Sequence, residues 1–492
     1  MLDRAHRGDI IGAFGRVASA GTGPPPTSRR RRLAILLAVT GPGVVVMVAD
    51  NDAGGIATYA QAGQDSGLRY VWLLAALAVV LFVNQEMVAR LGAVTGAGHA
   101  RLILERFGRR WGMFALADLL VVNLLVLVTE FIGITLGLGY FGVSRYLSVP
   151  VAAVALVAAA GTGSFRRWER AMYALVTASL VAVPLLAVVR PHGAALVHVA
   201  AVRPGSSPGS VLVAVALIGT TVAPWQLFFQ QSNVVDKRIT ARWISYERAD
   251  TAIGTALFAL GAIAVMTACA VAFSGTALHG AFADAGEVAS ALRARGGDWA
   301  GALFAVALVN GSVLGAGAVT LSTSYAIGDV TGTRHSLHRR WDDARTFHRS
   351  YAAFIAAAAV TVLIPGAPLG IVTIGVQALA GVLLPSALVF LLLLCNDRTV
   401  LGPWVSLPVH WPAAVTAGAL AAGLGALAGI RLRSEPETAA TDAAVSGRPT
   451  WTMPAIETRH SPPSSPATPA TYRPRAGTLR EDTPAQLMLA AC

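Results

Sequence analysis

Residues 41–63 read GPGVVVMVADNDAGGIATYAQAG, and this stretch decides the fold. It opens as an apolar helix, breaks at Asp50-Asn51-Asp52-Ala53-Gly54-Gly55, and resumes as a helix with a polar face. Asp50 and Asp52 thus fall where the middle of a membrane span is expected. An ionised Asp at the centre of a bilayer costs ~2.5–3.5 kcal/mol on insertion scales, so such residues face a cavity or a bound cation. Gly54 and Gly55 relax the backbone and free carbonyls from the helical ladder, that of Ala49 among them. Carboxylate and freed carbonyl at mid-membrane depth are the ingredients of a cation site on a discontinuous helix. A short surface loop is the competing reading, and apolar sequence on both sides argues against it.

Composition supports the membrane setting. Of 492 residues 55% are hydrophobic and 13% charged, whereas roughly a quarter are charged in a soluble domain. Apolar runs recur at about 33–62 (broken), 68–93, 111–140, 147–163, 170–190, 209–235 (interrupted), 249–275, 298–328, 351–367, 370–396 and 409–430, about eleven spans near the ~20 residues that a bilayer requires. The net charge of +12 sits in short inter-helix loops and the termini, so it is read as a topology signal and not as nucleic-acid binding. Arg29 to Arg32 precede the first span, and Arg clusters such as Arg101, Arg106, Arg109 and Arg110 recur in alternate loops. The N-terminus is therefore expected in the cytoplasm of a multi-pass plasma-membrane protein. Residues 1–28 show no apolar signal segment. Cys269, Cys395 and Cys492 form no metal or disulfide pattern.

The expected organisation is a flexible basic arm at 1–32, a first five-helix repeat at 33–190, a second at 204–397, an eleventh helix at 403–433, and a disordered tail at 434–492. The second repeat also opens on an interrupted span. Its sequence Ile218-Gly219-Thr220-Thr221-Val222-Ala223-Pro224-Trp225-Gln226 carries a Pro that removes a backbone donor and clashes with the preceding turn. Interruptions at corresponding positions of two halves point to an inverted-repeat transporter with its site between the breaks. From the sixth span Thr220 and Thr221, the Ala223 carbonyl and the Gln226 amide are candidate ligands, opposite Asp52.

At these residues the chain resembles the NRAMP family of divalent-metal transporters. The resemblance rests on Gly41-Pro42-Gly43 with Asp52, Ala57-Thr58 and Gln61-Ala62-Gly63, and on Gln85 with Ala89-Arg90-Leu91-Gly92. Further along it rests on Glu130-Phe131-Ile132-Gly133, Phe165-Arg166-Arg167-Trp168-Glu169, Ile218-Gly219 with Thr221 and Pro224, and Gln377 with Leu384-Pro385. It spans residues 41 to about 402 and implies an all-α, LeuT-like fold of two inverted five-helix repeats with helices 1 and 6 interrupted. It also implies a metal ion bound between those helices.

Departures from the family pattern bear on the ion. The first-helix motif Asp-Pro-Gly-Asn reads Asp52-Ala53-Gly54-Gly55 here, so Gly55 stands at the Asn ligand. The sixth-helix motif Met-Pro-His reads Ala223-Pro224-Trp225, which removes the thioether and the His, and Leu127 replaces a third-helix Asp. These exchanges resemble the NRAMP-related magnesium transporter branch. Sulfur ligands favour softer metals, whereas carboxylate, carbonyl and water suit Mg²⁺ and Mn²⁺. The expected function is transport of a partly hydrated Mg²⁺, with Mn²⁺ tolerated and no obligatory proton coupling. The alternatives are a proton-coupled Mn²⁺/Fe²⁺ importer and a sodium-coupled organic-solute symporter on the same fold. The expected metal residues are Asp52, Ala49, Gly55, Thr220, Ala223 and Gln226.

Asp50, Asn51, Glu130, Trp225 and Gln377 are accessory or ion-path candidates with open alternatives. Asp50 either supports the site or faces an aqueous vestibule, and Asn51 either donates its amide oxygen or caps the break. Glu130 either meets the ion through water or bonds a neighbouring helix. Trp225 reads first as packing, and Gln377 faces the site in an occluded state. Glu86 is expected to pair with Arg90 one turn later. No nucleophile–base pair or phosphate loop suggests an enzyme, no resident cofactor is expected, and the partners are the ion and the bilayer, with a monomer as the expected state.

Overall fold

A computed structural model describes residues 6, 8–18, 28–189, 208–365 and 369–405. The expected eleventh helix, apart from its first residues, and the tail lie outside them. A hairpin of β1 (Ile10–Gly12) and β2 (Gly15–Val17) precedes the helices. The first half then comprises α1 (Arg29–Val39), α2 (Pro42–Ala49), α3 (Ala53–Ser66), α4 (Val71–Thr95), α5 (His99–Phe107), α6 (Arg109–Tyr140), α7 (Arg145–Ala160), α8 (Phe165–Ala178) and α9 (Ala182–Val189). The second half runs α10 (Pro208–Thr221), α11 (Pro224–Asp236), α12 (Ile244–Phe273), α13 (Ala285–Gly296), α14 (Asp298–Thr331), α15 (Arg345–Leu363), α16 (Leu369–Asn396) and α17 (Arg398–Leu401).

Among the described residues eight helical segments are long and apolar enough to cross a membrane, or nine if the bent pair α1–α2 is counted. The shorter apolar α7 has 16 residues. The fold is the expected all-α LeuT-like arrangement, and both interruptions are present. The first span breaks between α2 and α3 at Asp50-Asn51-Asp52, and the sixth between α10 and α11 at Val222-Ala223. Pro224 sits in the first turn of α11, where its missing N–H leaves no intrahelical bond unmade, so it starts the second half-helix.

Two expectations near the N-terminus change. The first broken span does not run straight from residue 33, because α1 meets α2 at a bend of 52°. Gly41 makes that bend with φ 155°, and a Cβ there would lie 2.0 Å from Glu169 Oε1. The break at Asp50-Asn51-Asp52 thus lies between α2 and α3, and α1 leads into α2 through the bend. The basic arm is also not uniformly flexible. Ile10 of the hairpin is fully buried against Ile35, Val39, Val234, Ile239 and Trp243.

Polar anchors fix the start of α2. Asp250 Oδ2 on α12 accepts from Gly41 N (3.0 Å) and Gly43 N (2.7 Å), two of the N–H groups a helix start leaves unpaired. The fully buried Lys237 donates to Glu169 Oε1 (2.5 Å) and to the Thr40 carbonyl. Glu169 Oε2 in turn accepts from the hairpin's Ala13 N, and Arg170 Nε donates to Ala13 O (3.1 Å). The expected pair Arg90–Glu86 also forms, at 3.4 Å, with Arg248 on the same carboxylate.

Removing one member of a buried ion pair strands the other, at a cost of about 3–5 kcal/mol, whereas replacing both is often near neutral. Lys237→Met is therefore expected to lower the melting temperature of the detergent-purified protein steeply, and Lys237→Met with Glu169→Leu to recover most of the loss. Equal losses in the single and double variants would show that the pair is not the source.

Candidate functional site between the helix breaks

The break in the first span leaves the N-terminus of α3 inside the bundle, with backbone donors that need acceptors. Asp52 is the N-cap of α3, and its Oδ1 accepts from Gly55 N at 2.7 Å. Glu130 on α6 reaches the same turn, its Oε2 accepting from Ala53 N at 3.1 Å. Both carboxylates are buried, Glu130 completely. A Cβ at Gly315 of α14 would lie 2.8 Å from Asp52 Cβ and 3.0 Å from Glu130 Oε2, so α14 closes over the pair. The positive end of the α3 dipole favours both negative groups.

On the other side of the break, Asp50 is 1% exposed, so it faces no open vestibule. Its Oδ1 accepts from Gln226 Nε2 on α11, and Gln226 Oε1 accepts from Gln85 Nε2 on α4 (3.2 Å). A buried amide chain therefore ties α4 through the second broken span to the first. Ala49 ends α2 and Ala223 caps α11, which sets their carbonyls at the two breaks. The Ala223 carbonyl accepts from Gln226 N at 3.2 Å. Thr220 and Thr221 end α10, both buried.

The accessory candidates divide. Asn51 Nδ2 donates to Phe258 O (3.1 Å), which ties the break to α12. Trp225 packs edge-on against Phe229, and its carbonyl accepts from Ser322 Oγ (2.9 Å). Gln377 on α16 is 2% exposed and lies over the break, where a Cβ on Gly54 would fall 1.8 Å from its Nε2.

Several buried oxygens around the breaks meet no hydrogen-bond partner: Asp50 Oδ2, Tyr59 OH, Gln85 Oε1, Glu130 Oε1, Thr220 Oγ1 and Thr221 Oγ1. Each such group costs about 1–3 kcal/mol when left unsatisfied. Among the described residues no three His, Cys, Asp or Glu side chains converge on one point that could hold a metal ion. Any cation held here must therefore draw on hydroxyl, amide and carbonyl oxygens beside the carboxylates. Tyr59 and Gln85 were not singled out as site residues from sequence. The available signal was spacing, since Tyr59 follows Asp52 by two helical turns on the same face.

Two interrupted helices facing each other across buried carboxylates define a membrane transporter of the broken-helix class. The family model described as natural resistance-associated macrophage protein-like (Nramp) matches residues 43–432. The divalent metal cation transporter MntH of Burkholderia ambifaria is 27% identical over 430 residues, 85% of this chain and 91% of that protein. MntH of Ralstonia nicotianae is 30% identical over 392 residues, covering 75% of this chain and 86% of its own. A solved structure of a mutant Eremococcus coleocola manganese transporter shares the fold at a TM-score of 0.67 and 18% identity, covering 90% of this chain and 92% of that one. This chain belongs to the Nramp family of membrane metal transporters.

The exchange at Gly55 is sterically committed. A Cβ there would lie 2.7 Å from the Asp50 carbonyl oxygen and 3.2 Å from the Tyr59 hydroxyl. Gly55→Asn is accordingly expected to destabilise the protein by about 1–3 kcal/mol through overpacking and not to restore a ligand. Thermal melting in detergent measures this. A melting temperature equal to wild type would mean that the Tyr59 ring yields freely.

Proposed function

We propose that the ion crosses between the two breaks, with Asp52 as the central ligand. Ala49 and Ala223 offer carbonyls, Thr220 offers its hydroxyl oxygen, Gln226 orients Asp50 through its amide, and Gly55 contributes space. Asp50, Asn51, Glu130, Trp225 and Gln377 form the surrounding shell. The observation that carries this reading is the set of unpartnered buried oxygens around Asp50 and Asp52 in a transporter of this family. The relatives' names support a divalent metal cation as substrate, and the solved neighbour, a manganese transporter, favours Mn²⁺, carried as in an ordinary Nramp transporter. A site of hard oxygens suits Mn²⁺, so this reading needs no sulfur ligand.

A specific observation favours Mg²⁺ as a second substrate. Ala223 stands where the family motif has Met, so no thioether selects for softer metals, and Mg²⁺ keeps several waters around one or two carboxylates. Coupling to protons is proposed not to be obligatory. Trp225 and Leu127 occupy the His and Asp stations of the family pattern, which leaves Glu130, against Asp52, as the one candidate carrier among those stations. The plasma membrane is the proposed location, and the loop charges support a cytoplasmic N-terminus.

Uptake into proteoliposomes tests these points. Asp52→Ala is expected to abolish Mn²⁺ uptake without loss of folded protein, and wild-type flux in that variant would remove Asp52 from the site. Mg²⁺ in excess is expected to compete with Mn²⁺ for uptake; no competition would leave Mn²⁺ alone as the substrate.

At clamped voltage, internal pH is expected to stay constant as metal enters. Acidification that tracks metal entry and vanishes in Glu130→Gln would make the protein proton-coupled with Glu130 as carrier.

A further inference from the structure

Gly55 and Ala223 remove an amide and a thioether from the places where the family motif puts ligands, yet the space at Gly55 is filled from within the same helix. Tyr59, one turn further along α3, is fully buried and brings its hydroxyl to 3.2 Å from the position a Gly55 Cβ would take. The Asp50 carbonyl closes the same space from the other side, at 2.7 Å. The ring is fixed by an edge contact with Phe258, at 6.5 Å between centroids. Its hydroxyl has no hydrogen-bond partner, and neither has Asp50 Oδ2. Asp50 and Asp52 are the charged groups in its surroundings, and the Thr221 hydroxyl lies close by.

A buried phenol held rigidly among carboxylates is poorly placed unless something uses its oxygen. A hydroxyl proton can turn to one acceptor, and its lone pairs then remain for a cation. Asp50 is in a similar position: Gln226 occupies Oδ1 and fixes the carboxylate, which leaves Oδ2 free. Both atoms are hard oxygens, the donor type that Mg²⁺ and Mn²⁺ accept.

We propose that the Tyr59 hydroxyl and Asp50 Oδ2 face the transported cation and replace the donors missing at Gly55 and Ala223, making Tyr59 a specificity-determining residue. This rests on the divalent-cation reading above. The ligand class is a hard divalent cation that keeps part of its water shell. Gly55 is then a requirement of the site, since any side chain there displaces the phenol.

The test measures Mn²⁺ binding to the detergent-purified full chain by the loss of the free-ion paramagnetic resonance signal, with Mg²⁺ as competitor. Tyr59→Phe removes one oxygen and keeps the ring. It is expected to weaken binding of both ions about tenfold, the scale of losing one oriented group at a metal site, at an unchanged melting temperature. In liposomes KM should rise with the maximal rate preserved, whereas a purely structural role would lower the rate and the melting temperature together. Asp50→Asn keeps the acceptor for Gln226 and removes the charge, so it should weaken binding too. Because both groups meet one ion, the double variant should lose less than the product of the single losses. Wild-type binding in Tyr59→Phe and Asp50→Asn, alongside lost binding in Asp52→Ala, would overturn the proposal and leave the cation site standing. Wild-type binding in Asp52→Ala would overturn both.

Discussion

Interrupting a helix inside an apolar layer frees peptide groups that no water can reach, and each must find a partner within the protein. At the start of α3 that demand falls on Asp52 and Glu130, which accept from Gly55 N and Ala53 N. The break and the carboxylates sustain each other. Without acceptors the helix end would be costly, and without the helix end two adjacent buried carboxylates would have no backbone partners. The surrounding bundle follows from this, because α6 must present Glu130 and α14 must pack close enough, at Gly315, to close over it.

The two ends of the first half-helix are held by different means. At its start, Asp250 takes backbone donors and Lys237 takes the Thr40 carbonyl, within a network that reaches the N-terminal hairpin through Glu169 and Ala13. At its end, Asp50 is tied through Gln226 to Gln85. α2 is thus a short rod fixed at both ends by polar contacts, with an apolar middle.

The departures from the family motif each have their own surroundings in the structure. Glycine at 55 is required by the Tyr59 hydroxyl and the Asp50 carbonyl, and alanine at 223 leaves its backbone to cap α11. Trp225, which stands at a His position in the motif, packs against Phe229. At Gly55 a side chain restored alone would meet the Asp50 carbonyl and the Tyr59 hydroxyl.

The sequence by itself determined the class of fold, the two interrupted helices and Asp52 at the first break. These are legible because they depend on local chemistry: apolar run length, Gly and Pro in a helix, and a carboxylate in an apolar segment. The Glu86–Arg90 pair was legible for the same reason, since helical spacing sets it. Which groups meet across the breaks was decided only by tertiary structure. Gln85 bonded to Gln226, Gln377 over Gly54 and the hairpin against Glu169 all join residues whose juxtaposition no motif or charge pattern marks. The bend at Gly41 was hidden too. Hydropathy continues through that turn, and the reason for it, a Glu169 oxygen where a side chain would be, lies more than a hundred residues along the chain.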